Sequence, residues 1–338
     1  MTIIAQRLKQ IAIGKKQHFK NLTMFPLVDE HPREASFLLL AEALEAGQAG
    51  VTEISAGGSV PELKFTNNGN RPVLLLDGEE LVGAKQNRII NLTILVPAKT
   101  TIVIPVSCVE QGRWRADSAA FSAAKRTHFA SGRSRKASRV TESMNRFGSR
   151  QTDQGEIWED IETKFCRMKV SSPTGAAAAM YEQNRQNLDH YRQAFTPVDN
   201  QTGALFAING QAVGLDLFDS TGPLQTMLPG LVQSYALDAI DNIEEKPAKA
   251  AKKETAGKLL EDCAAAIVNR FPAVGEGHDL RLQGNGITGG ALAVGERIIH
   301  LCAFRLAEEK QNNNHRRGSR MARSSARRGC RTNNDVIC

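Results

Sequence analysis

The 338-residue chain has no run of about 18 consecutive apolar residues, so no segment is long enough to cross a bilayer as a helix. Its first twenty residues carry their charges within and after the apolar positions. That order lacks the basic start and continuous apolar centre of a secretory signal, and it predicts a short amphipathic helix instead. The six cysteines (Cys108, Cys166, Cys263, Cys302, Cys330 and Cys338) include no CxxC pair, which excludes a zinc ribbon or thioredoxin-type motif. Four of the six sit among apolar neighbours, where a thiol serves as a small core residue. With no secretory signal, the expected compartment is the cytoplasm. No repeat of fixed period is present, which excludes a solenoid or propeller.

Charge is less informative than its total implies. The formal net charge is +7, but seven arginines and one aspartate between Gln311 and Cys338 supply six of those charges. The body up to Lys310 is therefore nearly neutral, and its charge does not point to nucleic acid as a partner. With 41% hydrophobic and 23% charged residues, the chain has the composition of a globular protein.

Apolar periodicity predicts an α+β fold with a central antiparallel, sandwich-like sheet core and packed helices. We expect one large domain over residues 1–307, β-rich from 19 to 115, and a disordered basic tail over 308–338. Predicted strands cover Phe19–Val28, Val51–Ser55, Val60–Thr66, Pro72–Leu76, Arg88–Val96 and Thr101–Val109. Pro32–Ala46 has helical spacing. Residues 118–150 are rich in Arg, Lys and Ser with few large apolar side chains, and are expected to form a solvated basic loop or short helix. Helical stripes follow at Ile157–Met168 and Tyr181–Phe195, the second with a start signal at Ser172-Pro173. Asn209-Gly210 marks a hairpin between Ala204–Ile208 and Gln211–Phe218. Beyond it come a helix over Ser220–Ile240 containing Pro229, a flexible basic connector over Lys246–Lys253, a helix over Lys258–Phe271, and three closing strands.

The richest stretch runs from Arg71 to Arg115, where polar residues interrupt apolar strands. Ile90, Leu92, Ile94 and Val96 share one face, as do Ile102, Ile104, Val106 and Cys108. Joining the two strands through Ala98-Lys99-Thr100 aligns these faces and sets Arg88 opposite Glu110. Gln86 continues the face, Asp77, Glu79 and Glu80 arrive on the preceding turn, and Arg113, Trp114 and Arg115 leave beyond it. Two readings fit. In one, Arg88 and Glu110 form an ion pair that fixes register, Glu79 and Glu80 are solvated, and Trp114 packs a corner. In the other, Arg88, Arg113 or Arg115 holds an anionic group and Trp114 stacks on a flat one. Asp77, Glu79 and Glu80 lack the histidine or further spaced carboxylates of a metal site, so no metal or other cofactor is expected. Cys108 lies on the apolar face and reads as core rather than nucleophile, and His128 or His300 could act as a base only by tertiary proximity.

Gly284-Asn-Gly286-Ile-Thr-Gly289 matches the dinucleotide fingerprint in letters. The flanking residues are strand-like on both sides, however, so a glycine-rich turn is expected rather than a nucleotide loop.

The segments LLLDGEELVGAKQNRIINLTILVPA, IPVSCVEQGRW, LFAINGQAVGLDLFD and SYALDAI resemble the ARG and Rhodanese-Phosphatase-superfamily-associated protein domain family, over about Phe19 to Phe304. The resemblance implies a genomic association with ADP-ribosylglycohydrolases and a rhodanese-phosphatase superfamily, and it carries over no catalytic residue. The leading expectation is binding or processing of an anionic small ligand connected with nucleotide or ADP-ribose metabolism. The alternatives are a non-enzymatic interaction or scaffold domain, and nucleic-acid binding through the basic loop and tail.

Overall fold

The computed structural model describes residues 1–244 and 249–306. The expected tail and residues 246–248 of the expected connector lie outside this set. Helix α1 (Ile3–Lys9) opens the chain, its first turn capped by the Thr2 hydroxyl, which accepts from the Ala5 amide. Then come β1 (Ile11–Ile13), β2 (Gln17–Phe19), β3 (Leu22–Asp29), β4 (Leu38–Leu39), α2 (Leu40–Glu45), β5 (Ala49–Thr52) and β6 (Glu62–Asn67). The polar-rich stretch supplies β7 (Val73–Leu75), β8 (Glu79–Gly83), β9 (Arg88–Ile90), β10 (Ile94–Val96) and β11 (Thr100–Cys108). Next are β12 (Phe121–Thr127), α3 (Ala130–Phe147), α4 (Gln154–Met168), α5 (Ala178–Gln183) and α6 (Arg185–Ala194). A hairpin of β13 (Gln201–Ile208) and β14 (Gln211–Phe218) leads into α7 (Thr221–Asp241) and α8 (Lys253–Ala264). The last strands are β15 (Ile267–Pro272), β16 (His278–Gly284), β17 (Ile287–Val294) and β18 (Arg297–Arg305).

The fold is α+β, as expected. Among the described residues the strands make three sheets. The largest runs β1-β3-β13-β14-β18-β17-β16-β15, with β2 also on β3; the others are β10-β7-β4 and β12-β8-β9-β11-β6-β5. All pairs are antiparallel except β4 with β7. The large sheet is covered on both faces. Along β13, Ala204, Phe206 and Ile208 enter one core with α3 to α7, whereas Leu205 and Ala207 enter another beneath α1 and α8. A third core fills the space around the smaller sheets.

The structure corrects five local expectations. The region 118–150 is no solvated loop. It holds β12 and the 18-residue α3, ended by Gly148 in the left-handed conformation at φ 67°. The buried stripe of α3 consists of small and apolar residues (Ala130, Ser134, Ala137, Val140, Thr141, Met144) together with the stems of Arg133 and Lys136. Pro32–Ala46 is helical only at α2. The predicted helix to Phe271 stops at Ala264, and residues 267–272 form a strand. The Tyr181–Phe195 stripe divides at Asn184 into α5 and α6.

The fifth correction concerns register. Arg88 lies opposite Cys108, Ile89 opposite Ser107 and Ile90 opposite Val106, two residues away from the expected alignment. The chain leaves β9 at Asn91, and β10 crosses to pair with β7, so β11 spends its first two thirds on β6. A slip of two leaves every side chain on its own face, so alternation alone could not distinguish the registers. The Asn209-Gly210 hairpin formed as expected, with φ of 50° and 81°. The dinucleotide-like glycines form an analogous β16–β17 turn, with Asn285 and Gly286 at 53° and 68°.

Candidate functional site

The nine polar residues singled out in the sequence separate into five environments. Asp77, on the turn between β7 and β8, points into the protein. Its carboxylate accepts from Lys136 Nζ at 2.8 Å and lies 3.4 Å from Arg133 Nε. Arg133 in turn donates to both oxygens of Asp216 on β14, at 2.6 and 3.1 Å. These groups belong to a wider buried array. Antiparallel pairing sets Arg281, Gly290, Cys302 and Asp216 in one row across four strands, with Asp279, Leu292, His300 and Phe218 in the next. Three cations (Arg133, Lys136, Arg281) and three carboxylates (Asp77, Asp216, Asp279) are thereby buried together.

Electrostatics explain the protonation of this array. Burial pushes the Asp216 carboxyl up, but Arg133 outweighs it and holds the group below the usual carboxylate range. Asp279 behaves oppositely: burial raises its pKa more than Arg281 lowers it. Burial also depresses the Lys136 ammonium more than Asp77 supports it. Within the array, Thr93 Oγ1 lies 2.8 Å from His300 Nδ1, and His300 Nε2 lies 3.4 Å from Asp216. The order hydroxyl, imidazole, carboxylate is that of a nucleophile with its base and orienting acid. Here Thr93 already accepts the Asp77 amide at 3.2 Å, Asp216 is neutralised by Arg133, and all are buried. The arrangement holds α3 against the sheet; it offers a substrate no approach.

Glu79 is buried without an ion pair. Among the described residues its one hydrogen-bond partner is the Leu76 amide at 3.2 Å, and burial pushes its pKa up to about 7. Glu80 faces Arg126 on β12, accepting from Nε and Nη2 at 2.5 and 3.0 Å. Neither carboxylate is solvated, contrary to the ion-pair reading of the sequence.

Five of the remaining six do gather, around the end of β9 and β11. The expected Arg88–Glu110 pair is absent, because the register shift carries Glu110 past Arg88. Glu110 is instead saturated by Arg113 Nη2 at 2.7 Å, the Asn87 amide at 3.0 Å and the Thr174 hydroxyl at 2.8 Å. Burial opposes its charge, but these donors hold its pKa below the ordinary value. Arg113 also donates to the Ala84 carbonyl and pairs with Asp117. Gln86 accepts from Cys108 Sγ at 3.2 Å. Arg115 points outward, 87% exposed, and does not join the cluster.

Arg88 differs from all of these. It is fully buried, yet its one hydrogen bond is a long one of 3.4 Å from Nη1 to the Asn87 carbonyl. Nε and Nη2 have no partner among the described residues. Burial lowers its pKa, with Cys108 and Glu53 opposing. The Trp114 ring centre is 5.8 Å from the guanidinium carbon, and Lys85 Nζ is 5.2 Å from the same ring. Trp114 is 48% exposed, on a loop tied by Gly112 N–H to the Thr174 carbonyl and by Asp117 N–H to the Ala84 carbonyl. This corner holds a buried guanidinium with Nε and Nη2 unpartnered among the described residues, behind a half-exposed indole. Cys108 is core, as expected: burial pushes its thiol up despite Arg88.

The sequence reading did not foresee Arg133, Lys136, Asp216 and Arg281 as a set. An acidic residue at Asp216, inside the otherwise apolar alternation of β14, was the one available signal. Among the described residues no group of three His, Cys, Asp or Glu is placed to hold a metal, and no helix is long and apolar enough to cross a membrane.

The chain belongs to the ARG and Rhodanese-Phosphatase-superfamily-associated protein domain family, whose model matches residues 10–304. That span contains both the buried array and the Arg88 corner. No curated protein and no solved structure matches the chain.

Proposed function

We propose that this protein binds a small anionic ligand bearing a flat ring, with Arg88 as the anion-holding group and Trp114 as the stacking surface. The observation that carries this reading is the Arg88 guanidinium, buried with Nε and Nη2 unpartnered. A buried charge without a partner is costly, and the free Nε–Nη2 edge has the fork geometry that suits a phosphate or carboxylate. Arg113 serves a different purpose, bracing Glu110 and the loop. The association carried by the family name favours a ligand from nucleotide or ADP-ribose metabolism, handled in the cytoplasm. The alternative, a non-enzymatic interaction or scaffold domain, draws on the saturation of Asp77, Glu80, Glu110 and Arg113 by internal partners. Nucleic-acid binding is a weaker third reading, since Arg133 and Lys136 of the supposed basic loop are buried.

Calorimetry and tryptophan fluorescence with ADP-ribose and NAD test the proposal, with Trp114→Phe identifying the responding indole. At least one ligand is expected to bind and alter Trp114 emission. Arg88→Gln should weaken it about tenfold or more, the worth of a charge-assisted hydrogen bond. Absence of any binding by the wild type would leave the scaffold reading in its place.

A further inference from the structure

We infer a second ligand site, independent of Arg88: the cleft between β12, α6 and α7 receives the phosphate groups of a small phosphorylated molecule. The cleft has a volume of about 520 Å³, a size suited to a small ligand. Its walls carry four cations, Lys125, Arg126, Arg185 and Arg192, against two carboxylates, Glu182 and Asp189.

The backbone around it departs from regular structure in β12, where a neighbouring helix packs closely. Lys125 has φ of 54°, a left-handed conformation rare for a non-glycine residue, within the bulge where β12 slips against β8. In a regular strand consecutive side chains point to opposite faces, whereas here Lys125 and Arg126 both line the cleft. Across from them, Pro229 and Gly230 lie in the middle of α7, which runs unbroken from Thr221 to Asp241. A Cβ on Gly230 would lie 3.0 Å from the Lys125 carbonyl oxygen, so glycine lets the helix close on the bulge. Such costly backbone persists where surrounding structure enforces it, and it concentrates at binding sites.

The cations are also graded in freedom. Arg126 is fixed by its two bonds to Glu80 and by the Tyr181 ring, 4.8 Å from its guanidinium carbon. Burial works against its charge, yet Glu80 outweighs burial and raises its pKa, so it stays cationic. Its Nη1 makes no hydrogen bond among the described residues and is left for a ligand. Arg185, at the first position of α6, has no ion pair among the described residues. Arg192 pairs with Asp189 at 3.2 Å, and Lys125 with Glu45 at 2.5 Å, in exposed contacts of little energetic weight that a phosphate can displace. One preorganised arginine flanked by three adaptable cations suits a group of two or more negative charges.

The probe is inorganic pyrophosphate, titrated calorimetrically into the full chain. Wild type is expected to bind it. Arg185→Ala/Arg192→Ala, which alters only exposed side chains, should weaken binding about tenfold or more at an unchanged melting temperature. Arg88→Gln should bind pyrophosphate like wild type. No binding by wild type would overturn the proposal, as would full affinity in the double variant. Equal loss in Arg88→Gln would assign the phosphate to the Arg88 corner instead. Salt-sensitive binding of a single-stranded oligonucleotide at this cleft, without pyrophosphate binding, would overturn the small-ligand assignment.

Discussion

Arg133 and Asp216 meet through two hydrogen bonds, at 2.6 and 3.1 Å, with neither side chain reaching solvent. The pair joins a helix that carries few large apolar residues to the central strands of the large sheet. Hydrophobic burial alone would anchor α3 weakly, and the ionic array supplies its position. A buried pair is not a large net source of stability, because desolvation consumes most of the attraction, but losing one member leaves the other charge stranded.

Arg133→Met should therefore destabilise the fold by about 3–5 kcal/mol, with Asp216 and Asp77 left short of a cation. Arg133→Met combined with Asp216→Leu should recover part of that loss, since no buried charge at that position then lacks its partner. Urea unfolding of the two single variants and the double variant measures the coupling. Strictly additive losses would show that the pair does not act as a unit.

How much of this was legible in the sequence follows from the range of each signal. Period-2 alternation and Asn-Gly turns are local, and the β13–β14 hairpin and the β17 and β18 strands emerged where expected. The register of β9 on β11 depends on where the chain leaves one sheet for another at Asn91, and alternation is blind to a slip of two. The stripe of α3 escaped notice because its long buried members are Arg133 and Lys136, which read as surface residues. Asp77 was singled out correctly as unusual, but its partners lie 56 and 59 residues further on and were assigned to a loop. The cluster at Arg88 was half legible: its members were named, and its expected ion pair was replaced by Glu110 with Arg113.

Glu79 predicts a pH dependence of stability. Its pKa in the folded protein is raised to about 7 from an ordinary 4.5, burial being the cause. For a raised pKa, the stabilising contribution is fully present below the unfolded value and is lost as pH rises through the folded value. Stability relative to Glu79→Gln should accordingly fall between about pH 4.5 and 7 and level off above, by about 3 kcal/mol at 1.36 kcal/mol per pKa unit. Glutamine can still accept from the Leu76 amide, so the variant isolates the charge. Unfolding midpoints of both proteins across pH 4 to 8, roughly the window in which a perturbed carboxyl titrates, provide the check. A constant difference would mean that Glu79 titrates normally.

Gly290→Ala probes the other end of the array. A Cβ there would fall 1.8 Å from Arg281 Nη2 and 2.5 Å from its guanidinium carbon, so the side chain must move. Arg281 would lose its 3.1 Å contact with Asp279, whose pKa is already raised by burial. The expected cost is about 1–3 kcal/mol, the range for overpacking a close-packed interior. Gly257→Ala, at an open helical position, is the control and should be neutral or slightly stabilising. Chemical denaturation of both variants decides whether the row across β16, β17 and β18 is as tight as its geometry requires.

The thiols give a test of access to the core. Burial pushes Cys263 and Cys302 up to about 12, and raises Cys108 as well despite the nearby Arg88. The thiolate is the reactive form, so at neutral pH all three should resist alkylation in the native protein and react once it unfolds. Iodoacetamide labelling followed by peptide mapping, with and without urea, distinguishes these sites from the other cysteines. Rapid native labelling of Cys108 would show that the loop bearing Trp114 opens readily and that the thiol is activated beneath it. Protection of Cys108 that strengthens with bound ADP-ribose would tie loop closure to occupation of the Arg88 corner.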